Sequence, residues 1–276
     1  MRTLNIIGAG HVGRVLGKVL AARGAFTVQD VLTRSQASAQ EAVAFIGSGR
    51  AVDSYAALRP ADSCLLAVSD DQIATACASL AAAMALRGVL VWHCSGALAS
   101  DALAPARVTG AVVASAHPIR SFADPAAVAR DFAGTFCGVE GDAAALEILN
   151  AALTAAGAQV VQIDPAAKTV YHAAAVFASN YLVTVLDAAL QAYQAAGIPE
   201  PQARALAEPL ATETLANVFR LGPARALSGP IARGDHLTVE KHERALEQWN
   251  PRVAELYRAL VPPTAALASR KRGGQP

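Results

Sequence analysis

The sequence predicts an α/β protein, with a doubly wound, mostly parallel sheet followed by an all-helical region. Three observations predict it. Short apolar runs alternate with helical stretches through the first 164 residues, a glycine-rich turn joins the first run to the first helix, and the strand pattern stops at Asp164-Pro165. Near-continuous apolar strands alternating with helices belong to a parallel sheet buried on both faces. A hydrophobic content of 54% against 16% charge over 276 residues supplies a sizeable core and leaves little room for disorder. The expected division is a sheet domain over 1–164, a helical domain over 165–262 and a flexible tail over 263–276.

The first strand, 4–7, runs straight into Gly8-Ala9-Gly10-His11-Val12-Gly13, and Val15, Leu16, Val19 and Leu20 follow at helical spacing. In a dinucleotide site the first glycine makes the tight turn, the second lets backbone approach the pyrophosphate, and the third lets helix pack on strand. The free N–H groups and the positive end of the helix dipole face the diphosphate. Gly8, Gly10, His11, Val12 and Gly13 are therefore the expected cradle. Further strands are expected at 27–32, 63–68, 89–93, 112–116, 135–139 and 160–163, with helices at 72–83 and 143–156. Proline disfavours helix at the residue before it, so Asp164-Pro165 marks a break. Beyond it, 166–196 reads as one long helix closed by Gly197-Ile198-Pro199, and 201–221 as a second. A loop over 222–235 and helices at 239–248 and 252–260 complete the pattern, and Arg270-Lys271-Arg272 reads as part of a frayed terminus.

The ends of the strands hold the candidate chemistry. The second strand closes in Thr33-Arg34-Ser35, where an NAD site usually places a carboxylate. A guanidinium and two hydroxyls suit a 2′-phosphate, which points to NADP; Asp30 falls too early, inside the strand. Arg34 read alone is a solvated loop residue, and Ser35 a helix cap. The fourth strand ends in Val68-Ser69-Asp70, at the carboxyl edge where the cofactor crosses, although Ser69 or Asp70 also suits a helix cap. The fifth ends in His93-Cys94-Ser95-Gly96 and the sixth in Ala116-His117-Pro118. Val68, Ser69 and Ser95 join the expected cofactor contacts. Pro118 holds His117 extended, and an imidazole with an ordinary pKa near 6.5 exchanges a proton near neutral pH.

On the long helix, Lys168, His172, Val176 and Asn180 follow an i, i+4 series and share one slowly drifting face. Lys168 and His172, about 6 Å apart along the axis, are placed to touch one small substrate. Asn180 sits within an apolar run, where a buried amide needs partners or costs about 1–3 kcal/mol. His117, Lys168, His172 and Asn180 are the candidate catalytic group.

A formal net charge of +1 gives no electrostatic reason to expect nucleic acid or an anionic membrane. Polar residues at helical intervals in the Ala-rich stretches argue against a membrane span. Cys64, Cys77, Cys94 and Cys137 show no CxxC spacing and read as small apolar residues in a reducing cytoplasm. The scattered histidines show no metal-ligand pattern, so no metal is expected.

Together, GAGHVG, the 65–73 stretch, HCSGAL at 93–98, HPIRSFA at 117–123, YHAAAVFASNYL at 171–182 and GPIARGD at 229–235 resemble one family. It is the Rossmann-like oxidoreductases whose C-terminal half is domain of unknown function 2520, related to pyrroline-5-carboxylate reductases, ketopantoate reductases and prephenate dehydrogenases. The resemblance implies a nicotinamide-dependent enzyme with a helical, dimer-forming C-terminal domain, and no particular substrate. His117-Pro118 resembles the His-Pro that supplies a catalytic histidine in prephenate dehydrogenases, but Arg120 stands where a glycine follows there. Lys168 matches the helical lysine of ketopantoate reductases, while His172 stands where those enzymes carry asparagine. The expected activity is NADP-dependent hydride transfer to or from a carbonyl, alcohol or imine carbon of a small polar substrate, in a cytoplasmic homodimer. The rival expectations are a non-catalytic NADP(H)-binding redox sensor and a deazaflavin:NADP oxidoreductase.

Overall fold

Eight strands form one sheet in a computed structural model that describes residues 1–273. They are β1 (Thr3–Ile7), β2 (Thr27–Leu32), β3 (Arg50–Val52), β4 (Ser63–Leu66), β5 (Leu90–His93), β6 (Val112–Pro118), β7 (Phe136–Gly141) and β8 (Gln159–Gln162), in the order β3-β2-β1-β4-β5-β6-β7-β8. The first six strands pair in parallel in the doubly wound 3-2-1-4-5-6 order. β7 then runs antiparallel to β6, and β8 parallel to β7. Strand β3, three residues after Gly49, has too short an apolar run to register as a strand in the sequence. It forms because β2 offers it an open edge.

Helices α1 (His11–Ala22), α2 (Gln36–Ile46), α3 (Ile73–Ala83), the short α4 (Ala104–Arg107) and α5 (Pro125–Arg130), and α6 (Ala143–Ala155) cover the sheet. Two apolar clusters result. One contains Leu4, Ile6, Leu16, Leu20, Phe26 and Trp92, and the other Ile7, Leu66, Ile73, Leu80, Val91 and Leu103. Alternate residues of β1 enter different clusters, as the two-residue period of a strand buried on both faces requires. The buried Trp92 indole N–H donates to Ser63 Oγ at 3.1 Å.

The long helix expected over 166–196 is segmented. A 3-10 turn, Pro165–Ala167, is capped by Asp164, whose carboxylate accepts from the Ala166 N–H at 2.9 Å. Helix α7 (Lys168–Val176) leads into a π turn, Phe177–Tyr181, and then α8 (Leu182–Ala195). Residue contacts divide the chain within that π turn, into units 1–179 and 180–276. The division lies later than the boundary expected at 164 because the first turn of α7 is fastened to the sheet.

The second unit continues as α9 (Glu200–Leu221), α10 (Pro223–Ala226), α11 (Pro230–Arg233), α12 (His236–Trp249) and α13 (Pro251–Gly273). The expected loop over 222–235 contains the two short helices, each opened by a Gly-Pro pair with glycine at positive φ. The flexible tail is also corrected, since α13 runs through Pro262 and Pro263 to Gly273. Its later turns are held by the buried Ala268 and by the Lys271 ammonium, which donates to the Leu227 carbonyl at 3.0 Å. Residues 274–276 of that expected tail lie outside the described residues.

The expectation of no membrane-competent segment needs correction as well. By length and composition, Pro165–Ala195 is long and apolar enough to cross a membrane, with a mean hydropathy of 1.5. Its polar side chains are too few to lower that average, although Lys168 fastens one end to the sheet.

Candidate active site

The glycine turn lies at the carboxyl edge of the sheet, where the strand order reverses between β1 and β4. Gly8 has φ +82°, and a Cβ there would stand 2.6 Å from the Ala67 carbonyl oxygen. Gly13 lets α1 approach, since its Cβ would stand 2.6 Å from the Gly8 carbonyl oxygen. A Cβ on Gly10 would meet nothing within 4 Å. Its bare backbone therefore faces open space at the helix N-terminus, the cradle a diphosphate requires. Among the neighbours, Val12 packs partly against the core, and the Val68 side chain lies against Gly8. His11 Nδ1 pairs with the Phe122 carbonyl at 2.8 Å.

At the end of β2, Arg34 is exposed and has no hydrogen-bond partner among the described residues. Ser35 caps α2 by accepting from the Ser38 N–H at 3.2 Å, and Thr33 Oγ1 donates to the Ser35 carbonyl at 2.8 Å. Asp30 is fully buried and ion-paired with Arg59 at 2.7 Å and Arg50 at 2.9 Å. That carboxylate is committed to the fold and is not a ribose ligand.

Ser95 belongs to the scaffold of the next loop. Its hydroxyl donates to Asp70 at 2.8 Å and accepts from the Ala97 and Leu98 N–H groups at 3.1 and 2.9 Å. Ser69 precedes the 3-10 turn Asp70–Gln72 without capping it through its side chain. His93, fully buried, accepts from the Ser95 N–H at Nδ1, so Nε2–H donates to the Ala99 carbonyl at 3.1 Å. Burial pushes its pKa down to about 4.

Lys168 is 2% exposed, rather than solvated at a helix start. Its three N–H groups face the Ser95 carbonyl at 2.9 Å, Ser115 Oγ, and Glu140 Oε1 at 3.7 Å. These partners come from the loop after β5 and from β6 and β7, and register makes the set possible, because Ser115 stands opposite Glu140 across the antiparallel pair. Glu140 also accepts from the Ser100 N–H at 2.9 Å and hydroxyl at 2.8 Å. Burial draws the Lys168 ammonium below the usual lysine pKa, against the opposing pull of Glu140.

His117 lies two residues beyond Ser115 on β6, hence on the same face. Its Nδ1 is 2.9 Å from the Tyr171 hydroxyl, and its ring meets His172 edge-on with centroids 5.6 Å apart. Burial, with the nearby His172 and Lys168, pushes its pKa down to about 4. The expectation of an ordinary titrating imidazole is therefore corrected: His117 is neutral at neutral pH. Two glycines make room for these rings. A Cβ on Gly96 would stand 2.3 Å from His172 Cδ2 and 2.9 Å from His117 Nε2, and one on Gly138 would stand 2.4 Å from the Tyr171 hydroxyl.

Lys168, His172 and His117 are thus brought together. Asn180 falls in the π turn, in the second unit, and is exposed, so the expectation of a buried amide is corrected. Sequence reasoning missed Tyr171, Glu140, Ser115, Gly96 and Gly138 as site residues. A hydroxyl three residues after Lys168 was the one available signal. The four cysteines are free thiols, and no metal-binding cluster is present among the described residues.

This strand order and glycine turn define the dinucleotide-binding class of doubly wound sheets. Residues 2–118 match the Rossmann-like domain and residues 135–264 match the domain of unknown function DUF2520, so the chain joins these two domains. Among solved structures, an assigned NADP oxidoreductase of Bacteroides fragilis is similar at 21% identity and TM-score 0.80, covering 96% of this chain and 98% of that one. Protein TM1727 of Thermotoga maritima is similar at 26% identity and TM-score 0.73, with 98% and 99% covered. An imine reductase of Myxococcus stipitatus, in complex with NADP+, is similar at 19% identity and TM-score 0.66, with 99% and 95% covered. No curated protein sequence matches the chain.

Proposed function

We propose that this chain is an NADP-dependent oxidoreductase acting on a carbonyl, alcohol or imine carbon of a small polar substrate. One observation carries the reading: the open glycine cradle and the His117 cluster lie at the same carboxyl edge of one sheet. The relatives of this fold include the NADP+-bound imine reductase and the assigned NADP oxidoreductase, which supports the choice of chemistry.

Gly8, Gly10 and Gly13 with the N-terminus of α1 would hold the diphosphate, and the exposed Arg34 with Thr33 and Ser35 the 2′-phosphate. The nicotinamide, when bound, supplies or accepts the hydride. His117 handles the proton. Its Nε2 has no protein partner among the described residues, whereas each Lys168 N–H already faces a protein oxygen and the side chain is sealed from solvent. Lys168 is therefore a positioning residue, which ties the β5 loop to β6 and β7.

Fluorescence titration should show NADPH bound more tightly than NADH, with the preference lost in Arg34→Ala. An arginine–phosphate contact supplies about one or two factors of ten. A panel of keto acids, imines and alcohols should then yield a substrate. On it, His117→Asn should keep NADPH affinity and lose roughly 10²–10⁴-fold in turnover. Tight NADPH binding without turnover across the panel would favour the sensor instead.

A further inference from the structure

We propose that Tyr171 is a positioning residue that fixes the tautomer of His117 and stands behind it as its proton source. The inference deepens the oxidoreductase reading and rests on it for the proton's destination; the tautomer itself rests on the contact between the two side chains and on their donor strengths.

His117 Nδ1 and the Tyr171 hydroxyl are 2.9 Å apart, and one proton lies between them. Two arrangements satisfy that distance. If Nδ1–H donated to the hydroxyl oxygen, the phenolic proton would have no acceptor among the described residues. If the phenol donates to Nδ1, its proton is satisfied, and the ring proton must sit on Nε2. Each arrangement leaves one proton, the phenolic one or Nε2–H, without a protein acceptor among the described residues. A phenol is a stronger donor than a neutral imidazole N–H, and an imidazole nitrogen a stronger acceptor than a phenol oxygen, so the second arrangement is the one adopted. Nε2–H then projects beside Gly96, where the missing side chain leaves the ring its place.

The surroundings keep both groups uncharged. Burial pushes the Tyr171 pKa up to about 12, so the phenol keeps its proton through the neutral range. The titratable groups acting on His117 are His172 and Lys168, from the helix, and Asp70, from the turn after β4. The first two oppose an added proton and Asp70 favours it, with burial the largest influence. A free imidazolium is thus not the acid at neutral pH.

The proton balance closes through the relay. As a carbonyl oxygen or imine nitrogen gains negative charge on reduction, Nε2–H gives it a proton. Nδ1 takes the phenolic proton in the same step, which leaves His117 neutral in its other tautomer and Tyr171 as phenolate. Solvent water then reprotonates the half-buried Tyr171. Gly138 serves this relay by admitting the hydroxyl opposite His117, to which it is paired across the sheet.

Two measurements test this, and they separate its failure from that of the oxidoreductase reading. Long-range ¹H–¹⁵N spectra of ¹⁵N-histidine-labelled protein, with His117→Asn for assignment, need no substrate. The expected result is an unprotonated Nδ1 and a protonated Nε2 from pH 6 to 8, with mixed tautomers in Tyr171→Phe. A protonated Nδ1 in the wild type overturns the proposal whatever the enzyme reduces. The second measurement is turnover against pH with a substrate from the panel. Wild type should be flat from pH 6 to 8. Tyr171→Phe should lose about 10²-fold at pH 7.5 and regain activity towards lower pH, as imidazolium replaces the relay. An unchanged rate, or a loss with the wild-type pH profile, overturns the relay.

Discussion

His93 shows what burial does to a single titratable side chain in this protein. Folded, it stays neutral down to about pH 4, because both ring nitrogens are occupied and its charged form would be desolvated. Unfolded, it takes up a proton near pH 6.5. Between those values the unfolded chain binds more protons, so stability is full above pH 6.5 and falls as the pH drops towards 4. A shift of that size corresponds to about 3 kcal/mol, at about 1.4 kcal/mol per unit. Urea unfolding at several pH values should show the fall, and His93→Gln should reduce it, leaving the part that His117 contributes through its own shift to about 4. An equal slope in both proteins would assign the fall to other groups. Not all of this was readable in the sequence. The position of His117 at a strand end was legible from Val112–Pro118, but its charge state was not. That state depends on burial first and on His172 and Lys168, more than fifty residues away, and on two glycines whose role is to be absent as side chains.

At the scale of the element, the strand–turn–helix at Gly8–Gly13 was the most legible part of the chain, because every constraint in it is local. Its glycines are not equivalent. Gly13→Ala forces a Cβ against backbone at 2.6 Å, so it should lower the melting temperature by several degrees, as a loss of about 1–3 kcal/mol for overpacking does. Gly10→Ala meets nothing in the protein. It should leave the melting temperature within about a degree while weakening NADPH at least tenfold, which calorimetry and titration together would show. Equal NADPH affinity in Gly10→Ala would remove the cradle from the reading. Elements governed by distant partners were less legible. Strand β3 depends on the edge of β2. The direction of β7 depends on pairing that no local pattern encodes. α13 passes Pro262-Pro263, where sequence rules stop a helix, because Ala268 and Lys271 anchor its later turns.

At the scale of the whole molecule, large apolar side chains stand exposed and call for a cover. Val170, Phe177 and Val183 are 75%, 69% and 65% exposed, on a helix of which no part of the apolar window is buried within the chain. A helix apolar on more than one face is normally covered on several sides. A homodimer through residues beyond about 165 is expected, and light scattering at micromolar concentration should give twice the 28.3 kDa chain mass. A monomer that partitions onto lipid vesicles would assign the same surface to a membrane instead.

The Lys168 ammonium also has a consequence in time. Its acceptors on Ser95 and Ser115 lie 73 and 53 positions away along the chain, and none can receive it until β5, β6 and β7 are aligned. Until then the charge is better served by water, so its entry should be a late event that comes after closure of these long loops. Refolding kinetics should register this as a transition state indifferent to Lys168. In stopped-flow mixing, Lys168→Met should speed unfolding while leaving the refolding rate nearly unchanged. A slowed refolding limb would place the lysine in the nucleus, and the sheet would then assemble around its charge rather than ahead of it.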